Sequence, residues 1–412
     1  MMRKLDPARV EWMREASTLR LMGVLAKDGG DARFVGGVVR NTLLGLAVKD
    51  IDIATPLPPD EVMRRLKRAN IRAVPTGIDH GTITAIVDGR PFEVTTLRRD
   101  VSTDGRHATV TYTTDWREDA ARRDFTINAL YASADGEIFD YHGGLADLAQ
   151  GRVRFIGDAR ARIREDYLRI LRLFRFHAWY GKGDIDPDAL NAVAHEKAGL
   201  AKLSGERIQQ EFLRLLEAAN PVAVLRIMAA NGILAEILPG TLDIARLEHL
   251  CAIDAENFFI PDPMLRLAAL LSGGETAVAD RFKLSNKDRA RLEDLASANE
   301  TIVSHLSIRE LHKLLYRLER ARFKDRVFLR WAEDTKPSNA VRWRALLALA
   351  DAWEPPVFPL TGRDVMMAGV AEGPLVGRIL AEVEEWWIDS DFTDDAFSLA
   401  ERLKAVVQAT AF

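Results

Sequence analysis

The pattern of apolar residues changes at about residue 150, and this change limits the possible folds more than any other feature of the chain. Before it, short alternating runs are separated by glycine and proline turns, a mixture typical of strands and helices. After it, apolar residues recur at helical spacing in almost every segment, as in "ARARIREDYLRILRLFRFHAWY". We therefore predict an α+β chain, in which a small N-terminal α/β head is followed by an elongated all-α region.

Short sequence signals predict the order of elements in the head. Strands are expected at "ARFVGG", "DIDIAT", "IRAVPT", "TITAIVDG" and "RPFEVTTLR", and helices at "VVRNTLLGL" and "PPDEVMRRLKRAN". The second of these helices has a proline near its start and acidic residues in its first turn. The last two strands are joined at Val87-Asp88-Gly89-Arg90, and Asp-Gly is a strong signal for a β-hairpin.

Charge and cysteine content exclude several classes of protein. The net charge is −4, from 57 basic and 61 acidic residues, and the single cysteine, Cys251, excludes an intrachain disulfide framework and a Cys-rich zinc site. The N-terminal residues lack the apolar run of a signal peptide, and no segment reaches about 18 consecutive apolar residues. We therefore expect a soluble, cytoplasmic protein with no membrane partner. Between residues 152 and 175, eight arginines stand against three acidic residues, a local excess suited to phosphate contacts.

Two aspartates alternate with isoleucines in "VKDIDIAT", residues 48–55. On a strand, Asp50 and Asp52 would point to the same face, because side chains repeat every second residue. Adjacent carboxylates repel each other unless they share a cation, and Mg²⁺ takes one or two carboxylates together with substrate phosphates. The alternative is a solvated edge strand with salt bridges. Glu93, in "PFEVTT", is either a third carboxylate of this site or an outward-facing strand residue.

A glycine turn precedes this pair in "FVGGVVRNTLLG". Two glycines allow a sharp turn and close approach of a ligand to the backbone, and a helix that starts just after them offers free N–H groups to a phosphate. Arg40, one turn into that helix, would add a charged contact. A plain strand–turn–helix explains the same residues.

The segment "RRDFTINAL", residues 122–130, combines arginines with a polar pair at the expected start of an apolar helix. Arginine suits triphosphate oxygens through its fork of donors, so Arg123 is a candidate phosphate ligand. Asp124 and Asn128 can hold ribose hydroxyls. Alternatively, Asp124 simply caps the helix.

Arginines recur every three residues in "REDYLRILRLFRF", residues 164–176. Arg169, Arg172 and Arg175 would lie along one helix face, with Asp166 and Arg169 as an i, i+3 pair on it. A carboxylate accepts from an exocyclic amino group and a guanidinium donates to ring acceptors, so this pair could read the edge of a base. An ordinary helix salt bridge is the alternative.

Together these four motifs resemble those of the class II tRNA nucleotidyltransferases and the related bacterial poly(A) polymerases, of the polymerase-β superfamily. That family has, in order, a Gly-Gly-x-Val-Arg turn, DxD, RRDFTxNA and EDxxRxxRxxRF, and this chain has all four between residues 34 and 176. Weaker matches are "LSGERIQQE" (203–211) and "LTGRDVMMAGVAEGPLVGRIL" (360–380). The resemblance implies a polymerase-β-like nucleotidyltransferase head followed by an all-α neck, body and tail.

The resemblance also implies roles for individual residues. Gly37 and Arg40 would contact the incoming nucleotide, and Asp50 and Asp52 would be catalytic and bind two Mg²⁺ ions. The remaining nucleotide-binding roles fall to Arg123 for the triphosphate, Asp124 and Asn128 near the sugar, Asp166 and Arg169 for reading the base, Glu165 for bracing Arg169, and Arg172 and Arg175 for the phosphates or the orientation of the reading face.

Other residues favour the CCA-adding branch, which uses CTP and ATP to complete the 3′ end of tRNA. Residues 75–87 resemble that branch, and residues 103–120 stand where its enzymes carry a flexible loop that helps the switch from C to A. Asn41 and Ala108 depart from the family pattern, where Asp and Pro are usual. A poly(A) polymerase, a partial CC- or A-adding enzyme and a non-catalytic RNA-binding descendant remain alternatives. No His-Asp dipeptide is present, so no HD phosphohydrolase domain is expected.

The expected regions are a head (1–148), a neck with the base-reading helix (149–217), a body (218–353) and a tail (354–412) that contacts tRNA. The sequence leaves the oligomeric state open between monomer and homodimer.

Overall fold

A computed structural model describes residues 4–77, 81–103, 108–393 and 395–410. The chain forms two compact units. The first comprises Met1–Gly240, Pro261–Pro263 and Thr276–Ser285, and the second comprises Thr241–Ile260, Met264–Glu275 and Asn286–Phe412. The four expected regions follow other boundaries and stay a prediction.

All strands of the described residues lie in the first unit: β1 (Arg33–Val35), β2 (Asp52–Thr55), β3 (Arg72–Gly77), β4 (Thr82–Val87), β5 (Arg90–Thr96), β6 (Arg98–Thr103), β7 (Ala108–Tyr112), β8 (Leu130–Ala132) and β9 (Ile138–Asp140). Seven of them form one sheet in the order β3-β4-β5-β2-β1-β8-β9, and β6 pairs with β7 separately. Within the sheet, β2 and β5 run parallel, and the other neighbours are antiparallel.

The hairpin between β4 and β5 forms where the sequence predicts it. Val87 pairs with Arg90, and the two central residues have positive φ, 51° at Asp88 and 81° at Gly89. Positive φ at both central positions is the requirement of the two-residue turn that matches the twist of the strands.

The strand with the two aspartates is shorter than predicted. β2 begins at Asp52, so Asp50 and Ile51 lie before it. The backbone still pairs at this point, because the Glu93 amide donates to the Ile51 carbonyl at 3.3 Å. Ile51 is buried and Asp50 is exposed, so the alternation of the sequence continues beyond the strand that carries it.

The first unit contains α1 (Glu11–Arg14), α2 (Ala16–Ala26), α3 (Gly37–Leu43), α4 (Pro59–Arg68), α5 (Trp116–Ala121), α6 (Gly144–Gln150), α7 (Ala159–Glu165), α8 (Leu168–Tyr180), α9 (Pro187–Glu196), α10 (Gly205–Leu216), α11 (Val222–Ala230) and α12 (Ile233–Ile237). The segment predicted as one helical run is interrupted between α7 and α8. Asp166 has extended backbone there, with φ −155°. The expected helix at residues 122–130 is instead a 3₁₀ turn, Thr126–Asn128, that leads into β8.

Two helices cover one face of the sheet. Helices α2 and α4 contact β4, and the buried side chains of Ile53, Ile83 and Val94 share one face by strand register. Since side chains alternate, Asp52 and Glu93 point to the opposite face. That second face also carries a buried apolar cluster that includes Ala54, so the carboxylates lie beside packed side chains.

The remaining helices are α13 (Ile244–Asn257), α14 (Pro263–Leu270), α15 (Glu275–Phe282), α16 (Asn286–Ala296), α17 (Ile308–Glu333), α18 (Ala340–Ala352), α19 (Gly362–Met367), α20 (Pro374–Asp389) and α21 (Ala396–Thr410). The predicted change to a helical pattern after residue 150 is therefore confirmed. Helices α19 to α21 pack around a cluster that includes Trp387, Val383 and Leu403. Among the described residues, every helix is too short or too polar for a membrane span.

A buried ion pair in the second unit gives a test of its packing. Arg266 is 1% exposed and Asp254 is 7% exposed, and their side chains meet at 2.8 Å. Arg266→Ala should lower the free energy of unfolding by about 3–5 kcal/mol, because it leaves a carboxylate buried without its cation. Urea unfolding would measure the loss. Lys404→Ala, at an exposed pair with Glu401, should change stability by less than about 1 kcal/mol; equal effects would contradict the prediction.

Candidate active site

The carboxylates of the DxD motif meet a third carboxylate on the neighbouring strand. Asp52 on β2 stands directly opposite Glu93 on β5 in the parallel register. Burial, then the negative charges of Glu93 and Asp50, raise the pKa of Asp52 to about 6, although Arg123 acts in the other direction. Glu93 therefore belongs to the same negative patch as Asp50 and Asp52. It is also exposed, as an outward-facing strand residue would be, and its role as a third carboxylate of the site stays a prediction.

Arg123 lies beside this patch and beside the glycine turn. Gly36 has φ 72° and ψ −118°, a conformation that glycine adopts without strain, and a Cβ built on it would lie 3.7 Å from the Arg123 guanidinium. The Arg123 side chain also donates to the Asp119 carboxylate at 3.1 Å and to the Tyr131 hydroxyl at 3.2 Å. Turn, arginine and carboxylates thus occupy one region of the sheet.

A chain of buried and half-buried polar side chains runs from α3 to α10; we call it the ionic chain (Arg40, Asn128, Asp124, Arg172, Glu211 and Arg175). In its first half, the Arg40 guanidinium donates to the side-chain oxygen (Oδ1) of Asn128, and the side-chain amide nitrogen (Nδ2) of Asn128 donates to Asp124 at 3.0 Å. Burial lowers the pKa of Arg40, whose guanidinium also contacts the Tyr180 hydroxyl at 2.9 Å and lies over its ring. Arg40 is 6% exposed. A contact of Arg40 with the nucleotide stays a prediction. In the structure, the Arg40 side chain orients that of Asn128.

The second half of the ionic chain joins two helices. Arg172 on α8 donates to Asp124 at 2.7 Å and to Glu211 on α10 at 3.4 Å, and Arg175 donates to Glu211 at 2.5 Å. Burial opposes ionisation of Asp124, but Arg172 and the hydrogen bond from Asn128 hold its pKa at about 2. Asp124 does not cap a helix; its carboxylate accepts from the Phe125 amide and from these side chains.

The two residues of the predicted base-reading pair, Asp166 and Arg169, bind different partners. Asp166 accepts from Arg207 on α10 at 2.7 Å, whereas Arg169 donates to Glu165 at 2.5 Å. Asp166 precedes α8 instead of lying on its face, because the chain bends between α7 and α8. The expected bracing of Arg169 by Glu165 is confirmed, and Arg162 binds the same carboxylate.

Sequence reasoning missed several residues that hold these groups. Arg207 and Glu211 lie in "LSGERIQQE", one helical turn apart, and that i, i+4 spacing was the available signal. Asp119 and Tyr131 hold Arg123, and their only signal was proximity in sequence to it. Residues 78–80 and 104–107, within the segments 75–87 and 103–120 that resemble the CCA-adding branch, lie outside the described residues.

Comparison with known proteins places this geometry in a family. Residues 32–154 match the model of the "Poly A polymerase head domain", and residues 184–244 match "Probable RNA and SrmB- binding site of polymerase A". The chain is 35% identical to "CCA tRNA nucleotidyltransferase 1, mitochondrial" of Mus musculus, over 93% of this chain and 89% of that protein. The chain belongs to the family of CCA-adding enzymes.

Other members of the CCA-adding family support the assignment. The CCA-adding enzyme of Latilactobacillus sakei is 31% identical over 90% of this chain and 92% of its own. The crystal structure of the Bacillus stearothermophilus CCA-adding enzyme in complex with CTP superposes with a TM-score of 0.76 at 26% identity, covering 96% of this chain and 99% of that one. The expected polymerase-β-like α+β fold is thereby confirmed.

The carboxylates suit the Mg²⁺ ions that the family resemblance implies. Among the described residues, no three His, Cys, Asp or Glu side chains lie close enough to hold a metal without further ligands. Mg²⁺, however, is commonly bound by one or two carboxylates with water and substrate phosphates completing its shell. Burial first, and then the neighbouring carboxylates, raise the pKa of Asp52, and a shared cation would favour its ionised form. The residues present therefore fit the ion, and the assignment of Asp50 and Asp52 as its ligands stays a prediction.

The shifted pKa of Asp52 predicts how stability depends on pH. The folded value, about 6, lies above the ordinary 3.8, so the ionised carboxylate opposes folding. This cost is absent below pH 3.8, grows as the pH rises and is complete above 6. Asp52→Asn should therefore stabilise the metal-free protein at pH 8, by about 1–2 kcal/mol after solvent screening.

Thermal unfolding in EDTA at pH 8 and at pH 4.5 measures this effect. The gain should shrink at the lower pH, where the wild-type carboxylate is largely protonated in the fold. Glu137 is an exposed carboxylate directly before β9, so Glu137→Gln is the control and should show no such pH dependence of stability. A variant at position 52 that is no more stable than wild type at pH 8 would contradict the assignment of the patch.

Proposed function

We propose that this chain adds CCA to the 3′ end of tRNA, using CTP twice and ATP once and releasing pyrophosphate each time. One observation carries the proposal. Asp52 faces Glu93 beside Arg123, in a chain that aligns over 93% of its length with a protein named CCA tRNA nucleotidyltransferase. Solved relatives whose fold this chain shares include complexes with CTP, with ATP and with tRNA.

The residues around the patch divide the work of nucleotidyl transfer. The 3′-hydroxyl of tRNA's last ribose attacks the α-phosphorus in line, and pyrophosphate leaves. Arg123 binds the triphosphate, because its fork of donors matches phosphate oxygens and Asp119 and Tyr131 fix its direction. Gly37 lets the nucleotide approach the backbone closely. Two Mg²⁺ ions held by Asp50 and Asp52 would lower the pKa of the attacking hydroxyl and neutralise charge on the leaving group.

Nucleotide choice would rest on Asp166 and Arg169. A carboxylate accepts from the exocyclic amino group that cytosine and adenine share, and a guanidinium donates to their ring acceptors. Arg207 holds the Asp166 side chain in place, and Glu165 holds that of Arg169. Uracil presents a carbonyl where cytosine presents an amino group, so it would leave Asp166 without a donor, a cost of roughly 1–3 kcal/mol. The ionic chain, with Asp124 and Asn128 near the sugar and Arg172 and Arg175 behind them, would fix this reading face.

The tRNA itself would be recognised by shape and backbone, because every tRNA must serve as substrate. The arginines between 152 and 175 all have carboxylate partners, but Arg152, Arg160 and Arg164 keep about half of their side chains exposed and would supply the phosphate contacts. We propose residues 354–412 as a further tRNA contact, and the cytoplasm as the compartment, although a mitochondrial enzyme is among the named relatives.

The activity itself is tested with a tRNA transcript that lacks its last three nucleotides. With Mg²⁺ and CTP alone, the purified chain should add two residues, and a third should follow only when ATP is present. Asp50→Ala should lower incorporation by at least about a thousandfold, since it removes a metal ligand. Its affinity for tRNA should stay within a few-fold of wild type.

Each other product pattern points to a specific alternative. Long A-tails would assign the chain to the poly(A) branch, and arrest after two C residues would make it a CC-adding enzyme. Binding of tRNA without extension would favour a non-catalytic role. Undiminished incorporation by Asp50→Ala, compared with Glu137→Gln as a matched control, would remove the metal assignment.

Base selection is tested with Asp166→Ala and Arg207→Ala. The first removes the acceptor and should relax the preference for CTP over UTP by about tenfold or more. The second leaves the acceptor but frees its orientation, so it should relax the preference in the same direction by a smaller factor. Single-turnover incorporation of CTP and UTP gives both ratios. An unchanged ratio in Asp166→Ala would show that another group reads the base.

A further inference from the structure

Asp119 is the buried side chain on which three parts of the first unit converge. It lies on α5 and is 1% exposed. Its pKa is well below the ordinary value: burial opposes ionisation, but Arg123 and Arg122 outweigh it, and the Tyr131 hydroxyl adds a hydrogen bond. The side chain is therefore an anion within the fold, surrounded by donors.

The two oxygens of this carboxylate serve different parts of the molecule. Oδ1 accepts from the backbone amide of Arg98 at 3.2 Å and from the Arg122 side chain at 2.8 Å. Oδ2 accepts from the Arg123 guanidinium at 3.1 Å and from the Tyr131 hydroxyl at 2.7 Å. One oxygen thus faces a strand, and the other faces the arginine expected to bind the triphosphate.

The Arg98 amide belongs to the first residue of the β6–β7 hairpin. Arg98 begins β6, directly after Leu97, whose amide donates to the Thr55 carbonyl of the large sheet at 2.8 Å. The Thr113 amide closes the other side of the hairpin base on the Leu97 carbonyl at 3.0 Å. The hairpin therefore leaves the sheet at the point where Asp119 holds it.

Helix α5 also reaches the base-reading residues. The backbone carbonyl of Arg122, which directly follows α5, accepts from the Arg169 guanidinium at 3.4 Å, and the carbonyl of Ala121, the last residue of α5, accepts from Arg162. A displacement of α5 would therefore move the anchors of Arg123 and of Arg169 together.

We propose that Asp119 is a positioning residue that couples the base of the β6–β7 hairpin to Arg123, so that triphosphate binding orders the hairpin and the hairpin sets the direction of Arg123. The inference rests on the proposed function, because it takes Arg123 as a triphosphate ligand. A carboxylate is suited to this coupling because its rigid planar group fixes the donors on one oxygen relative to those on the other. A side chain that only neutralised the two arginines would need no contact with the Arg98 amide.

Hydrogen–deuterium exchange on the full chain, with CTP and Mg²⁺ as the probe and no tRNA, tests the coupling without catalysis. In wild type, saturating CTP should slow exchange about tenfold in peptides that contain the Arg98 or Thr113 amide. In Asp119→Asn, the amide group places a donor against Arg123 or against Arg98. Saturating CTP should then slow exchange there by less than about twofold. Turnover with CTP should fall about tenfold, while the KM for tRNA stays unchanged.

Two kinds of control separate coupling from loss of stability. Asp147→Asn removes another buried carboxylate of the same unit, one that accepts from Thr126 at 2.6 Å and Arg154 at 3.0 Å. It should lower stability but keep the effect of CTP on the hairpin. Arg98→Pro removes the backbone donor together with the arginine side chain, at a strand start where proline is tolerated, and Arg98→Ala removes the side chain but keeps the donor. The proline variant should lose the effect, and the alanine variant should keep it.

The coupling can be tested even if Asp119→Asn fails to fold, because Arg98→Pro and Arg98→Ala test it without a change at Asp119. CTP-dependent protection that persists in Asp119→Asn or in Arg98→Pro would overturn the proposal, and so would wild-type protein that binds CTP without protecting the hairpin. Wild-type protein that binds no CTP, by calorimetry, would overturn the proposed function as well, which distinguishes the two failures.

Discussion

The ionic chain from Arg40 to Arg175 is the interaction on which the geometry of the site depends. It joins the glycine-turn helix α3, the 3₁₀ turn at Thr126–Asn128 and helices α8 and α10 through buried charges. Burying charge is costly, and the cost is offset only when each group keeps its partners. Removing Arg172 would leave Asp124, which is 8% exposed, without its ion-pair partner, a loss that costs several kcal/mol for a buried charge. These ion pairs and hydrogen bonds therefore tie the elements of the site to one another.

Local rules predicted most of the sheet. The hairpin at Asp88 and Gly89 follows from turn chemistry alone, and the strands around it follow from alternation. The failures occur where distant residues decide. The chain bends at Asp166 because Arg207, 41 residues away, holds its carboxylate, and helical periodicity continues through the bend. Likewise, "RRDFTINAL" has the composition of a helix start, yet Asp124 binds Asn128 and Arg172, and the segment forms a 3₁₀ turn that leads into β8.

Much of the candidate site could be named from the motifs, because chemistry restricts residue types: carboxylates for a cation, guanidinium groups for phosphates. What the motifs could not give is which groups touch each other. Asp166 and Arg169 read as an i, i+3 pair, but each has another partner. Glu93 could be placed only when the parallel register set it opposite Asp52. Asp119 acts by holding other side chains and lies in none of the four motifs, and Glu211 lies in the weaker match at 203–211, which did not reveal its arginine partners.

The separate partners of Asp166 and Arg169 have a consequence for how such a site can change over generations. If the two side chains formed one ion pair, replacing either would leave the other without its partner, and both would have to change at once. Here Arg207 and Glu165 each keep one side chain in place. One half of the proposed reading face can therefore be replaced while the other keeps its support. A shift in nucleotide preference becomes accessible by single steps, each leaving a folded intermediate on which selection can act.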